Sequence, residues 1–179
     1  AGKSTLFNAL TKARAYAADQ LFATLDTTSR RIWIEGAGQV VLSDTVGFIR
    51  ELPHQLVDAF KATLEETIRA DVLLHVIDAA SPARLAQIDA VNATLREIGA
   101  DGIPQILVYN KADVAGLAPE VGRDACGSID RVVLSARTGD GLPLLRDAIA
   151  QRAMAATAAR SQLAGDRESP EQFPSFPAT

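Results

Sequence analysis

The chain has 179 residues, 47% of them apolar, which is enough to bury one hydrophobic core and gives no reason to expect two. Its 22 acidic and 18 basic residues leave a net charge of −4, so there is no general electrostatic pull toward nucleic acid, although a local basic patch stays open. A lone cysteine, Cys126, excludes an internal disulfide and, with no signal-peptide pattern at the start, points to a reducing cytoplasm; no apolar run approaches the roughly 18 residues that cross a bilayer.

The opening "GKSTLFNALTKA" reads as a helix with Leu6, Leu10 and Ala13 inward. The strand that should feed it would lie before residue 1, so the chain reads as N-terminally truncated. "RIWIEG" and "QVVLSDT" follow as strands. Pro53 then opens a helix in which Leu56, Phe60, Leu64 and Ile68 repeat every four residues. "VLLHVIDA" is the next strand, and Ser81 with Pro82 form an N-cap and N1 pair for a helix whose inner face is Leu85, Ile88, Val91, Leu95 and Ile98. "QILVYNKAD" and "RVVLSA" carry two more strands, and Leu142, Leu145 and Ile149 begin the last apolar helix face. From about residue 156 the periodicity stops, and "ARSQLAGDRESPEQFPSFPAT" has three prolines and scattered charge. Short apolar runs alternating with helical segments predict an α/β fold, a mostly parallel sheet sandwiched between helices. The domain is expected over residues 1–155, with 156–179 a disordered tail or the stub of a further domain.

Gly2, Lys3 and Ser4 match the last three fixed positions of a phosphate-binding loop, G-x-x-x-x-G-K-[S/T], whose first glycine would precede Ala1. Lys3 would place an ammonium on the β- and γ-phosphates, and Ser4 would give its hydroxyl to Mg²⁺. Backbone N–H groups from Ala1 to Thr5 would complete an anion nest. Taken alone, an ordinary capped helix explains the same residues. "DTVG", with Asp44, Thr45, Val46 and Gly47, stands at a strand end. The aspartate there can hold Mg²⁺ through water and the glycine lets its N–H approach a γ-phosphate; an Asx turn is the plainer alternative.

"NKAD", with Asn110, Lys111, Ala112 and Asp113, ends the run "QILVY". The Asp113 carboxylate can accept both the N1–H and the exocyclic amine of guanine. Adenine has no N1–H, a mismatch able to reject the wrong base by on the order of 10⁴-fold. Asn110 would tie loops together and reach the base edge, and the stem of Lys111 would cover the flat face of the ring. In "SAR", with Ser135, Ala136 and Arg137, the Ala136 N–H would donate to guanine O6. As an isolated tetrapeptide "NKAD" could equally be a turn, and "SAR" alone carries no signal. All four elements, however, fall in order at helix starts or at the C-terminal ends of strands, the edge at which open α/β sheets bind ligands. Their joint placement predicts GTP binding. Elsewhere, His54 reads as a solvated or capping residue, with positioning of a water as the competing role. His75 reads as a satisfied core residue, Cys126 as incidental, and the mixed charges from Asp58 to Arg69 as the wet face of a helix.

The segments linking these elements resemble the translational GTPases of the HflX family. The likeness is carried by "AADQLFATLDTTSRRI", "DTVGFIRELPHQLVDAFKATLEET", "ADVLLHVIDAASP", "NKAD" and "SARTGDGL", and covers residues 1 to about 150. The resemblance implies a P-loop GTPase domain that uses Mg²⁺, binds GTP and GDP, and acts on the large ribosomal subunit; a monomer with no membrane partner is expected. It implies that Phe22, Ala23, Thr24, Leu25 and Asp26 line the nucleotide, with Thr24 as the switch I threonine on Mg²⁺. Thr27 and Thr28 compete for that role, and Thr27 stands where family members usually have proline. Phe48 occupies the place where many regulatory GTPases carry a water-orienting glutamine, which predicts slow hydrolysis resting on Mg²⁺, Lys3 and backbone donors. An asparagine that holds potassium in some related GTPases would lie just before Ala1.

Two other readings remain from different classes. A non-hydrolysing interaction piece would follow if the incomplete phosphate loop binds nucleotide poorly. A small-molecule kinase would share the loop but leave "NKAD" and "SAR" without work.

Overall fold

The computed structural model describes residues 1–11, 28–44 and 67–165. Helix α1 spans Lys3–Thr11 and follows Gly2, whose φ of +80° turns the chain into it. Leu6 and Leu10, one turn apart, bury with Phe7, as the apolar spacing predicts. Ala13, the third expected inward residue, lies outside the described residues. Thr28–Ile34 (β1) and Gly38–Asp44 (β2) form an antiparallel hairpin in register from Thr28 opposite Asp44 to Ile34 opposite Gly38. The tight turn uses Gly36 and Gly38, both at positive φ. Alternate residues Ile32, Ile34, Val40 and Leu42 join the core through one face of the ribbon.

A second sheet holds Leu73–Asp78 (β3), Gln105–Asn110 (β4), Glu120–Arg123 (β5) and Ile129–Val133 (β6) in the order β3-β4-β6-β5. β3, β4 and β6 run parallel, and β5 closes one edge antiparallel. Helices α2 (Arg84–Glu97), α3 (Ala112–Ala115) and α4 (Leu142–Gly165) complete the described elements. The core is continuous from Leu6 and Leu10 through Ile106, Val108, Val132 and Leu134 to Leu145 and Ile149. Burial of each such large side chain is worth about 1.5–3 kcal/mol, so α1 and α4 are fixed against the strands rather than merely adjacent to them. The parallel registers bring Asp78 opposite Asn110 and Tyr109 opposite Val133. Those strand ends lie on one edge, and that edge is where the functional residues gather.

Four features differ from the sequence expectations or extend them. The N-cap of α2 is Ala83, with no side-chain cap, and the helix starts at Arg84; Ser81 Oγ instead accepts the Ala83 N–H at 3.3 Å, so Ser81 and Pro82 build a preceding turn. On α2 only Leu95 is fully buried, and Leu85, placed in the first turn, is exposed. β5 is a strand the apolar pattern does not announce, because "EVGR" has one large apolar residue and an interior glycine. A Cβ on Gly122 would come within 2.8 Å of Arg131 Nε and 3.1 Å of its Cβ, so a side chain there would push the Arg131 side chain aside. Finally, α4 continues past residue 155, where the periodicity fades, as far as Gly165. The helix expected after Pro53 falls almost wholly outside the described residues.

Candidate functional site

At the start of α1, Lys3 Nζ lies 2.8 Å from Asp44 Oδ1, and Ser4 Oγ donates to Asp44 Oδ2 at 3.1 Å. The Asp44 side chain is only 5% exposed. Two segments forty residues apart thus converge on one carboxylate, because the end of β2 runs alongside the first turn of α1. A hydroxyl and a carboxylate this close are hard oxygen donors of the kind that suits Mg²⁺, and the cation of Lys3 suits phosphate. Among the described residues there is no cluster of three or more His, Cys, Asp or Glu that could hold a metal without such help.

Asn110 is the hub of the edge. It is 2% exposed, and its Nδ2 donates to the Ala1 carbonyl at 2.9 Å while its Oδ1 accepts the Ala136 N–H at 2.9 Å. One side chain therefore joins the phosphate loop, the end of β4 and the loop after β6. The tie between loops expected of Asn110 is present. The Ala136 N–H, expected to donate to guanine O6, is instead given to Asn110, so a base would have to compete for it. A Cβ on Gly2 would meet Asn110 Nδ2 at 2.7 Å, so the glycine is what lets the two loops touch.

Both oxygens of the Asp113 carboxylate are engaged. Ser135 Oγ donates to its Oδ1 at 2.7 Å and Arg137 Nη2 pairs with its Oδ2. Ser135 is itself set by the turn that follows: its Oγ accepts the Thr138 N–H at 3.2 Å, and its N–H donates to the Asp140 carbonyl at 2.9 Å. A carboxylate offers about four lone-pair positions, so with one used on each oxygen, one on each is left to receive an N–H donor. The Ser135 bond, opposed by partial burial and assisted by Arg137, keeps the Asp113 carboxyl below its ordinary range. Lys111 Nζ pairs with Asp78 Oδ2 at 2.6 Å. Burial pushes the Asp78 carboxyl up, but the Lys111 ammonium and the Ala80 N–H outweigh it and the net shift is down. Both carboxylates are therefore anionic at neutral pH.

His75 is buried, as expected of a core residue, and burial lowers its pKa so that it is held neutral. The Gln105 side chain beside it opposes that shift, but neither His75 Nδ1 nor Gln105 Oε1 makes a well-formed hydrogen bond among the described residues, so His75 is less fully satisfied than the sequence suggests. Cys126 is exposed in a loop closed by Asp124 Oδ1, which accepts the Cys126 and Ser128 N–H groups. Phe22 to Asp26, Thr27, Thr45, Val46, Gly47, Phe48 and His54 lie outside the described residues. The backbone of Thr28 opens β1 opposite Asp44.

Three contributors escape the sequence reading. Asp78 was visible as a strand-end aspartate like Asp44, but nothing local signals that it holds Lys111. Gly141 is required because a Cβ there would lie 2.8 Å from the Val133 carbonyl, a constraint invisible without the fold. Arg146 donates from Nη2 to the Leu10 carbonyl at 2.7 Å and so caps the end of α1 from α4.

Residues 1–111 match the family model described as "50S ribosome-binding GTPase". The chain is similar to the GTPase HflX of Escherichia coli (strain K12), at 58% identity over 153 residues, which cover 85% of this chain and 36% of that protein. It is also similar to the GTPase HflX of Caldanaerobacter subterraneus subsp. tengcongensis, at 50% identity over 149 residues, covering 83% of this chain and 33% of that one. The chain thus spans about a third of the length of these curated relatives. Among solved structures, Era in complex with MgGDPNP and a segment of 16S ribosomal RNA superposes with a TM-score of 0.64 at 24% identity, over 98% of this chain and 55% of that one, which shows the fold. The HflX resemblance carried by the linking segments and the P-loop GTPase architecture are both borne out, and the chain belongs to the family of 50S ribosome-binding GTPases.

Proposed function

We propose that this edge binds GTP with Mg²⁺ and hydrolyses it to GDP and phosphate. The observation that carries the reading is the continuous hydrogen-bonded path from the Ala1 carbonyl through Asn110 to Ala136, which links a phosphate-side cluster to a base-side cluster. On the phosphate side, Lys3 exchanges its Asp44 partner for the β- and γ-phosphate oxygens, and backbone N–H groups from Gly2 to Thr5 meet the phosphates at the start of α1. Ser4 and Asp44 would hold Mg²⁺, with Thr24 as the switch I ligand. When bound, the ion neutralises charge shared between the β- and γ-phosphates. On the base side, Asp113 accepts the N1–H and exocyclic amine of guanine, and the stem of Lys111 covers the ring.

Hydrolysis needs a water held in line with the γ-phosphate, and Phe48 offers no hydrogen bond to it. The intrinsic rate is therefore low, and a partner accelerates it. The family description and the ribosomal RNA bound to the Era neighbour support a ribosomal partner. We assign the large subunit, and a monomer acting in the cytoplasm. No helix among the described residues is long and apolar enough to cross a membrane.

Titration of labelled GTP with and without Mg²⁺, competition by ATP, and phosphate release with and without 50S subunits test the reading together. Micromolar, Mg²⁺-dependent binding that ATP does not compete, with release stimulated by the subunit, is the expected result. Equal competition by ATP would refute the base assignment. Binding without release would return the non-hydrolysing reading, and transfer to a small acceptor would return the kinase.

A further inference from the structure

Lys111 is the one non-glycine residue at positive φ among the described residues, with φ 66° and ψ 37°. A left-handed backbone costs an L-residue roughly 1–2 kcal/mol, and such strain persists only where its surroundings over-determine it. Here both ends of the side chain are fixed. Its backbone is locked between β4 and α3, where Ala115 donates its N–H to the Lys111 carbonyl at 3.1 Å. Its ammonium is pinned 2.6 Å from Asp78 Oδ2.

Asp78 is in turn oriented. It sits at the end of β3 directly opposite Asn110, its Oδ1 accepts the Ala80 N–H at 3.1 Å, and the neighbouring Ala79 N–H donates to the Asn110 carbonyl at 2.9 Å. The Lys111 side chain is 42% exposed and that of Asp78 is 21% exposed. A lysine that open to water ordinarily samples many rotamers, with a cost in entropy when a ligand must order it. A lysine tethered at both ends has already lost that freedom. The four methylenes between the tethers then form a fixed strip two residues before Asp113.

From these contacts we propose that Asp78 is a positioning residue for nucleotide binding: its carboxylate pre-orders the Lys111 stem as the surface against which the face of the purine lies. The inference rests on the GTP-site reading above and deepens it. It separates two jobs on this edge. Asp113 reads the hydrogen-bonding edge of the base and selects among purines. The Asp78–Lys111 pair supports the face of the ring, which guanine, hypoxanthine and xanthine share, so it contributes affinity without selecting among them.

Asp78→Asn is the discriminating variant, because an amide oxygen still accepts the Ala80 N–H while the charge that holds the ammonium is gone. Equilibrium binding of GTP, GDP and XTP is measured for the unaltered protein, Asp78→Asn, Lys111→Met and the double variant. Lys111→Met keeps a stem and loses the anchor. Each single change is expected to weaken GTP and GDP alike by about threefold to tenfold, the range of a partly exposed ion pair and the ordering it provides. The GTP-to-XTP preference stays within twofold, and Asp78→Asn adds less than twofold in the Lys111→Met background. GTP affinity unchanged in either single variant overturns the proposal. So does the same loss from Asp78→Asn with and without Lys111, which marks a purely structural role. An unaltered protein that fails to prefer guanine over adenine nucleotides overturns the GTP-site reading itself, a distinct outcome.

Discussion

Replacing Asn110 with alanine removes both bonds of the hub. The Ala136 residue is buried, so its N–H would be left without a partner away from water, at about 1–3 kcal/mol. Ala1 is exposed, so its carbonyl can turn to water and loses only the net value of a hydrogen bond, about 0.5–1.5 kcal/mol. Together the change should cost about 1.5–4.5 kcal/mol of folding stability, read by chemical denaturation without nucleotide. Asn110→Asp dissects the two bonds. It keeps an acceptor for Ala136 but points a carboxylate oxygen at the Ala1 carbonyl, so it should spare the loop after β6 and open the phosphate loop. Nucleotide affinity measured on both variants under conditions where each is folded completes the test. Because a carboxylate buried at this 2% exposed position costs stability as well, denaturation separates the two effects, and GTP binding is expected to weaken in both. A loss below about 1 kcal/mol for Asn110→Ala, or GTP affinity within twofold for both variants, would refute the hub argument.

Gly2→Ala forces an L-side chain to φ +80° and places its Cβ 2.7 Å from an Asn110 amide that is bonded at both ends. GTP binding by titration should weaken at least tenfold, in line with about 1–2 kcal/mol for the backbone alone, and a change under twofold would contradict the close-approach reading. His75 makes a pH prediction. Burial holds its folded-state pKa below 6.5, so the unfolded chain takes up the proton first, and stability falls as pH drops from about 6.5 toward the folded value. Denaturation at a series of pH values should show that slope, and His75→Leu, which removes the titrating imidazole, should flatten it. An unchanged slope in the variant would place the acid sensitivity elsewhere.

The motif positions were legible because each combines a chemical requirement with a strand or helix end, and both are local. Lys3, Ser4, Asp44, Asn110, Asp113 and Ser135 could be read from residue type and spacing, and the structure brings them to one edge. What stayed hidden depends on contacts between segments distant in sequence. The Asp78–Lys111 pair spans 33 residues and the Arg146 cap on α1 spans 136, and neither leaves a periodic trace. The same holds for the Ala136 N–H, whose commitment to Asn110 no local pattern reveals. β5 leaves no trace in the sequence for a different reason: an edge strand of four residues with an interior glycine lacks the alternation that marks a strand. The misplaced start of α2 shows two local signals in competition, since Ser81 before Pro82 satisfies a turn as well as a cap.

The claim that Asp113, backed by Ser135 and Arg137, reads guanine is tested most directly by exchanging its carboxylate for an amide. In Asp113→Asn an N–H₂ faces the base where an acceptor stood, which suits the C2 oxygen of xanthine and opposes the amine of guanine. Competition titrations of GTP against XTP on the protein and on this variant should show the preference inverting, with GTP weakened by on the order of 100-fold or more. A GTP-to-XTP ratio that is the same in both proteins would contradict the account.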